Sequence, residues 1–135
     1  MLGAKKKIGK EFYQNLGKLF YAMAVADQHV HDKEIARLKE VVREHWLQLE
    51  DSVDEFGTDA AFQIESVFDW LLEYEKDGDA YYKEFEAFYH DHKTLFSAEV
   101  KNLTMTTARS IAAAFYGSNK AELIVLARVQ LLFAV

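Results

Sequence analysis

The segment AVADQHVHDKE concentrates side chains that can bind a divalent metal. It offers two imidazoles and three carboxylates, from Asp27, His29, His31, Asp32 and Glu34. Zinc and nickel accept such a mixed set of nitrogen and oxygen ligands. In an extended loop, alternating side chains would place Asp27, His29 and His31 on one side. The segment therefore predicts a divalent-metal site whose ligands are Asp27, His29, His31 and Glu34.

The same segment also fits a boundary between two helices. His31 stands where an N-cap residue would be, and Glu34 follows three residues later, which is the spacing of a capping box. Asn119 and Glu122 repeat this spacing near the C-terminal end. In this interpretation each glutamate bonds back to the amide of its own cap residue. Neither His-x3-His nor Glu-x-x-His occurs in the sequence, and residue types leave both interpretations open.

A further candidate cation site lies in EYEKDGDAYYKE, residues 73–84. Asp77, Gly78 and Glu84 fall on positions five, six and twelve of an EF-hand loop, but glutamates stand at positions one and three. The alternative is a break between helices, with Gly78 just past the end of one helix and Asp79 as the N-cap of the next. A helix break explains the segment better than calcium binding does.

Composition excludes several functional classes. The chain has no cysteine, which rules out disulfides, thiol chemistry and cysteine-ligated zinc. A formal net charge of −6 argues against a non-specific nucleic-acid binder. No apolar run approaches the ~20 residues of a transmembrane helix, so we expect a cytoplasmic protein without such a segment. Glycine-rich phosphate loops, nucleophile elbows and zinc-protease motifs are missing from the sequence, and we expect no enzymatic activity.

The spacing of apolar residues predicts an all-α bundle of about six helices in a single domain, residues 1–135. The apolar runs cover residues 8–26, 35–49, 61–72, 81–92, 100–114 and 121–135. Ser97 is the expected N-cap of the fifth helix. Beyond Glu122 the last helix is apolar nearly all round, so we expect it buried at the centre of the bundle. Trp46 and Trp70 could line a pocket, but at helical spacing they are expected in the core.

Two parts of the chain are weakly similar to each other: AVADQHVHDKEIARL and AFYGSNKAELIVLARV. Each runs from an alanine-rich helix end, through a short polar break, into a helix with glutamate in its first turn. Glu34 matches Glu122, and Leu38 matches Leu126. This pattern is typical of a duplicated helical hairpin.

These two segments resemble the conserved segments of TerB-like domains, the tellurite-resistance TerB family. Ala26-Asp27, Val30 and Glu34 occupy the positions of the first segment, and Glu122 belongs to the second. Gln28 departs from the glycine usual after the aspartate. The resemblance implies an internally duplicated helical bundle that is associated with stress responses and suspected of binding a metal ion through acidic side chains.

The sequence supports two functional hypotheses. In the first, the protein is a small non-enzymatic TerB-like interaction module that binds another protein through an acidic helical face, with a homodimer as a further option. In the second, it is a metal-binding or metal-sensing stress protein that uses the four ligands named above. The two hypotheses differ in whether Asp27 and Glu34 serve a metal or their own helix caps.

Overall fold

The computed structural model describes residues 2–26, 32–46, 62–75, 77–114 and 120–134. Within these ranges the chain forms six α-helices and no strand, which confirms the predicted all-α bundle. The helices are α1 Leu2–Ala24, α2 Asp32–Val41, α3 Gln63–Tyr74, α4 Gly78–Asp91, α5 Ala98–Ala113 and α6 Lys120–Phe133. A π-helical turn, Val42–Trp46, extends α2, and a 3₁₀ turn, Lys93–Leu95, follows α4. No helix in the described ranges is both long and apolar enough to cross a membrane.

The central helix of the bundle is α1, which packs against α3, α4, α5 and α6. The prediction that the C-terminal helix is buried at the centre is wrong. Although Val125 and Val129 of α6 are buried, Leu123 and Leu131 are 52% and 72% exposed. The helix at the centre is instead α1, which is the longer one. It has 23 residues and spans about 35 Å, whereas α6 has 14 residues and spans about 21 Å. Apolar composition shows that a helix face needs covering, but it does not show which element covers it.

Gly17 sets how closely α1 approaches α3. A Cβ atom built on Gly17 would lie 2.9 Å from the carbonyl oxygen of Ile64 and 3.0 Å from Cβ of Val67. Real Cβ atoms essentially never approach backbone oxygen so closely, so only glycine fits this contact without a shift of one helix. The close approach brings the apolar side of α3, with Ile64 and Phe68 fully buried, onto the central helix.

The start of α4 differs from the prediction by two residues. Asp77, rather than Asp79, is the N-cap, and its Oδ1 accepts a hydrogen bond of 3.2 Å from the backbone N–H of Ala80. Gly78 is the first helical residue and packs against α1, so it does not terminate a helix. The EF-hand interpretation is wrong as well, because Glu73 at position one lies within α3 and only residues 75–77 separate the two helices, too few for a twelve-residue loop. Asp77 therefore caps α4, and the exposed Glu84 pairs with Lys18 of α1 at 2.9 Å.

Local signals identified the start of α5 correctly. Ser97 has extended backbone geometry, and its Oγ accepts a hydrogen bond of 3.2 Å from the N–H of Val100, as an N-cap does. Phe96, just before this cap, lies among the rings of Phe12, Tyr89 and Phe133, with centroid distances of 5.3, 5.0 and 5.8 Å. The cap thus anchors α5 at the aromatic part of the core.

Candidate functional site

The predicted metal ligands lie outside what the structure describes. Asp27, His29 and His31 fall in the gap between residues 26 and 32, and Glu34 belongs to α2 without a described side chain. Among the described residues, no group of three or more histidine, aspartate or glutamate side chains is arranged to hold a metal ion. The metal site at these four residues therefore stays a prediction.

Two large aromatic side chains lie on the outer surface of α3. Trp70 is 53% exposed and Tyr74 is 62% exposed, and their ring centroids are 5.0 Å apart at an interplanar angle of 42°. The spacing of four residues places them on one side of the helix, one turn apart. The prediction that Trp70 belongs to the core is wrong, because Trp70 follows the fully buried Phe68 by two residues, about 200° around the helix.

Acidic groups border these rings. Glu73 is exposed one helical turn from Trp70, between the two aromatic residues in sequence. We call Trp70, Glu73 and Tyr74 the aromatic face. Asp69 is also exposed, and its Oδ2 lies 3.3 Å from Nζ of Lys39 on α2. The aromatic face therefore offers two ring surfaces and one exposed carboxylate.

Ion pairs link α3 to α2 and to the π-helical turn that follows it. Besides the Lys39–Asp69 pair, Oε1 of Glu65 lies 3.7 Å from Arg43. Glu65 is only 8% exposed, and its burial raises the pKa of the carboxyl group above 4.5, an effect that the charges of Arg43 and Lys39 partly offset. The buried side of α3 packs on α1, and the aromatic face is exposed on the outer side of the helix.

A second exposed surface follows α6. Its outward positions include Leu123, Ile124, Ala127 and Leu131, which we call the α6 stripe. Ile124, Ala127 and Leu131 lie one, four and eight residues after Leu123, so the four residues share one side of the helix. Val125 and Val129 point the other way and are buried. An apolar stripe on the outside of a bundle marks a surface that another molecule can cover.

A cleft of about 240 Å³ lies where the end of α1 meets the start of α4 and the middle of α6. There Nη1 of Arg128 donates a hydrogen bond of 2.8 Å to Oδ1 of Asp79, and the guanidinium lies 4.0 Å above the ring of Tyr82. Lys83 lies 3.2 Å from the other carboxylate oxygen. The hydrogen bonds from Arg128 and Lys83 lower the pKa of Asp79 below 3.8. The Asp79 carboxylate is thus paired with two cations, and its contact with Arg128 joins α4 to α6.

Sequence reasoning missed both the aromatic face and the pair between Asp79 and Arg128. The sequence carries a signal for the aromatic face, because Trp70 and Tyr74 lie off the side of the helix that Ile64, Phe68 and Leu71 share. No sequence signal joins Asp79 to Arg128, because they are 49 residues apart and meet only when α4 and α6 pack. No protein-family model, curated protein or solved structure matches the chain. The resemblance to TerB-like domains stays a prediction.

Proposed function

We propose that this protein is a non-enzymatic, TerB-like interaction module whose aromatic face binds a basic segment of a partner protein. The observation that carries the proposal is the exposed pair of Trp70 and Tyr74 on α3. Tryptophan and tyrosine are the side chains most often found at energetic centres of protein interfaces. Scattered exposed leucines are ordinary, but two adjacent exposed aromatic rings with a common orientation favour recognition.

The chemistry of the aromatic face favours a cationic partner. Arginine or lysine above an aromatic ring contributes about 0.5–2 kcal/mol, more when water is excluded. The Glu73 carboxylate lies within one turn of both rings and can pair with the same or a neighbouring cation. The net charge of −6 adds long-range attraction for a basic segment. Together these features support the acidic helical face that the first functional hypothesis requires.

The test uses peptides of equal length and graded net charge, from acidic to basic, titrated into the purified protein. Trp46 is fully buried and Trp70 is exposed, so iodide quenching of tryptophan fluorescence reports mainly on Trp70. We expect basic peptides to reduce the quenching with a Kd of about 1–100 µM, equivalent to about 5.5–8 kcal/mol. Acidic peptides that otherwise have the same composition should leave the quenching unchanged.

Variants assign the binding to the aromatic face. Trp70→Ala and Glu73→Gln should each weaken binding measured by calorimetry, about tenfold or more for the tryptophan. Leu131→Ala, an exposed apolar residue on α6, is the control and should bind as the wild type does. Equal affinity of wild type and Trp70→Ala, or no preference for basic peptides, would overturn the proposal.

Divalent-metal binding at Asp27, His29, His31 and Glu34 is the alternative proposal. It rests on residue types, on spacing and on the resemblance to TerB-like domains. A cytoplasmic location and a stress-response role are also proposals that rest on the sequence. A binding partner with such a location and role would support them.

A further inference from the structure

The aromatic face lies in the last turn of α3, at the end of the helix that attracts cations. The N–H of Glu75 donates to the carbonyl oxygen of Leu71 at 2.9 Å and closes the last hydrogen bond of the helix. The carbonyls of residues 72–74 therefore have no partner inside the helix, and they carry partial negative charge. No basic residue stands in the last turn of α3. The exposed rings of Trp70 and Tyr74 thus lie beside backbone acceptors that favour a positive charge.

The two carboxylates next to the rings differ in whether a cation already pairs with them. Asp69 lies 3.3 Å from Nζ of Lys39, so its charge is partly neutralised within the bundle. Glu73 is exposed, and among the described residues no cation forms an ion pair with it. Side chains on a helix lean toward its N-terminus, so Glu73 leans back over the turn that holds Trp70. Glu73 is therefore the carboxylate available to an incoming cation.

The geometry of the two rings decides where that cation can lie. Elsewhere in the chain, the guanidinium of Arg128 lies 4.0 Å from the ring centroid of Tyr82. A cation held between two rings at this distance would need centroids about 8 Å apart. The centroids of Trp70 and Tyr74 are only 5.0 Å apart, so the two rings contact each other. A cation must therefore lie on the outer side of a ring rather than between the two.

The chain contains a second aromatic–carboxylate pair of the same spacing, and an arginine already occupies it. Asp79 and Tyr82 are three residues apart on α4, as Trp70 and Glu73 are on α3. The guanidinium of Arg128 covers the ring of Tyr82 and at the same time donates a hydrogen bond of 2.8 Å to Asp79. A planar guanidinium can do both, because it stacks through its flat side and donates through its edge.

A lysine of the same chain contacts aromatic rings in a different way. Nζ of Lys101 lies 5.8 Å from the ring centroid of Tyr89 and 5.9 Å from that of Phe133. It donates to the carbonyl oxygen of Phe133, not to a carboxylate. An ammonium is compact and strongly hydrated, and it has no flat side to lay on a ring. Pairing with both a ring and a carboxylate therefore favours arginine over lysine.

We propose that the partner segment binds the aromatic face through an arginine, whose guanidinium stacks on the outer side of the Trp70 ring and donates to the Glu73 carboxylate. This inference rests on the proposed function, in which a basic segment binds this face. It adds a preference that charge alone does not give, because the net charge of −6 attracts arginine and lysine equally.

The test compares two peptides of equal length, equal charge and identical glycine–serine spacing. One carries arginine at every basic position, and the other carries lysine. Calorimetric titration into the purified wild-type protein should give a Kd about tenfold lower for the arginine peptide, equivalent to about 1.4 kcal/mol. Because Trp46 is fully buried, a change in tryptophan fluorescence during the titration reports mainly on Trp70.

Variants locate the preference at the aromatic face. In Glu73→Gln and Trp70→Leu, the ratio of the two Kd values should fall to about twofold or less, because each variant removes one of two contacts that a guanidinium makes together. Trp70→Phe keeps a ring and should keep part of the preference. Glu99→Gln, at an exposed carboxylate of α5, is the matched control and should keep the wild-type ratio. All four positions are replaced at exposed side chains, and circular dichroism verifies the fold.

The outcomes separate this inference from the proposed function. Equal affinity of wild type for the two peptides would overturn the arginine anchor and leave the binding of a basic segment intact. Binding of neither peptide would overturn both proposals. An arginine preference that persists unchanged in Glu73→Gln and Trp70→Leu would place the arginine elsewhere on the protein and would overturn the assignment to this face.

Discussion

The indole Nε1–H of Trp46 donates a buried hydrogen bond of 2.9 Å to Oγ1 of Thr107. The threonine hydroxyl in turn donates to the carbonyl oxygen of Leu103 at 2.8 Å. The tryptophan closes the π-helical turn after α2, and the threonine lies in the middle of α5. This chain of two hydrogen bonds satisfies the indole in a position where no solvent reaches it, and it joins the α2 region to α5.

Thr107→Val should destabilise the protein by about 1–3 kcal/mol. Valine matches threonine in shape but removes the acceptor, so the buried indole N–H loses its partner. Urea unfolding monitored by circular dichroism measures the change in the free energy of unfolding. Thr106→Val is the matched control, because Thr106 is the exposed neighbour in the same helix. The control should change stability by less than about 0.5 kcal/mol. Equal effects of the two variants would show that the hydrogen bond contributes nothing.

Glycines of α1 provide a second prediction. Gly17→Ala should destabilise the protein by about 1–3 kcal/mol, because the new Cβ would meet the backbone oxygen of Ile64 at 2.9 Å. Gly9→Ala lies in the same helix with nothing within 4 Å of the new atom. It should stabilise the protein by about 0.5–1 kcal/mol, since alanine favours the helix. Thermal melting of both variants separates helix propensity from packing. Stabilisation by both would mean that α3 can move away from α1 without cost.

The buried carboxyl of Glu65 predicts a dependence of stability on pH. Its folded pKa is raised above 4.5, mainly by burial, so the folded protein binds a proton more tightly than the unfolded chain does. The contribution of this group to stability is therefore greatest below pH 4.5 and is lost as the pH rises through the folded pKa. Glu65→Gln removes this dependence. Relative to wild type, the variant should gain stability between pH 4 and pH 7.

Urea unfolding of wild type and Glu65→Gln at the two pH values measures this difference. Glu73→Gln, an exposed residue of the same helix, controls for the loss of one negative charge. If the relative stability of Glu65→Gln instead falls from pH 4 to pH 7, the ion pair with Arg43 at 3.7 Å outweighs the cost of burial.

The sequence predicted those parts of the fold that neighbouring residues decide. The six apolar runs and the Ser97 cap are local signals, because helical periodicity and capping depend on residues three or four positions apart. The predicted position of α6 at the centre of the bundle is wrong for the opposite reason. Its composition requires burial on several sides, but α1 already occupies the centre, and only the packing of distant elements reveals that.

The candidate site shows the same division. The exposure of Trp70 could have been predicted from its angle to Phe68, yet tryptophan's strong tendency toward burial favoured the core. The contact of Arg128 with Asp79 and Tyr82 could not have been predicted from the sequence, because it depends on how α4 and α6 pack against each other. The apolar residues of the α6 stripe are visible in the sequence, but their exposure is known only from the packing of the helices.

Metal binding at residues 27–34 gives the last prediction. If these side chains hold a divalent ion, chelator-stripped protein should bind Zn²⁺ or Ni²⁺ saturably, one ion per chain, and Asp27→Ala with Glu34→Ala should abolish the binding. If they instead cap helices, calorimetry should show no binding tighter than about millimolar. The double variant should then lose only about 1–2 kcal/mol of stability, as the loss of a cap does. Glu99→Ala, at an exposed carboxylate of α5 outside this segment, is the control and should bind metal as the wild type does.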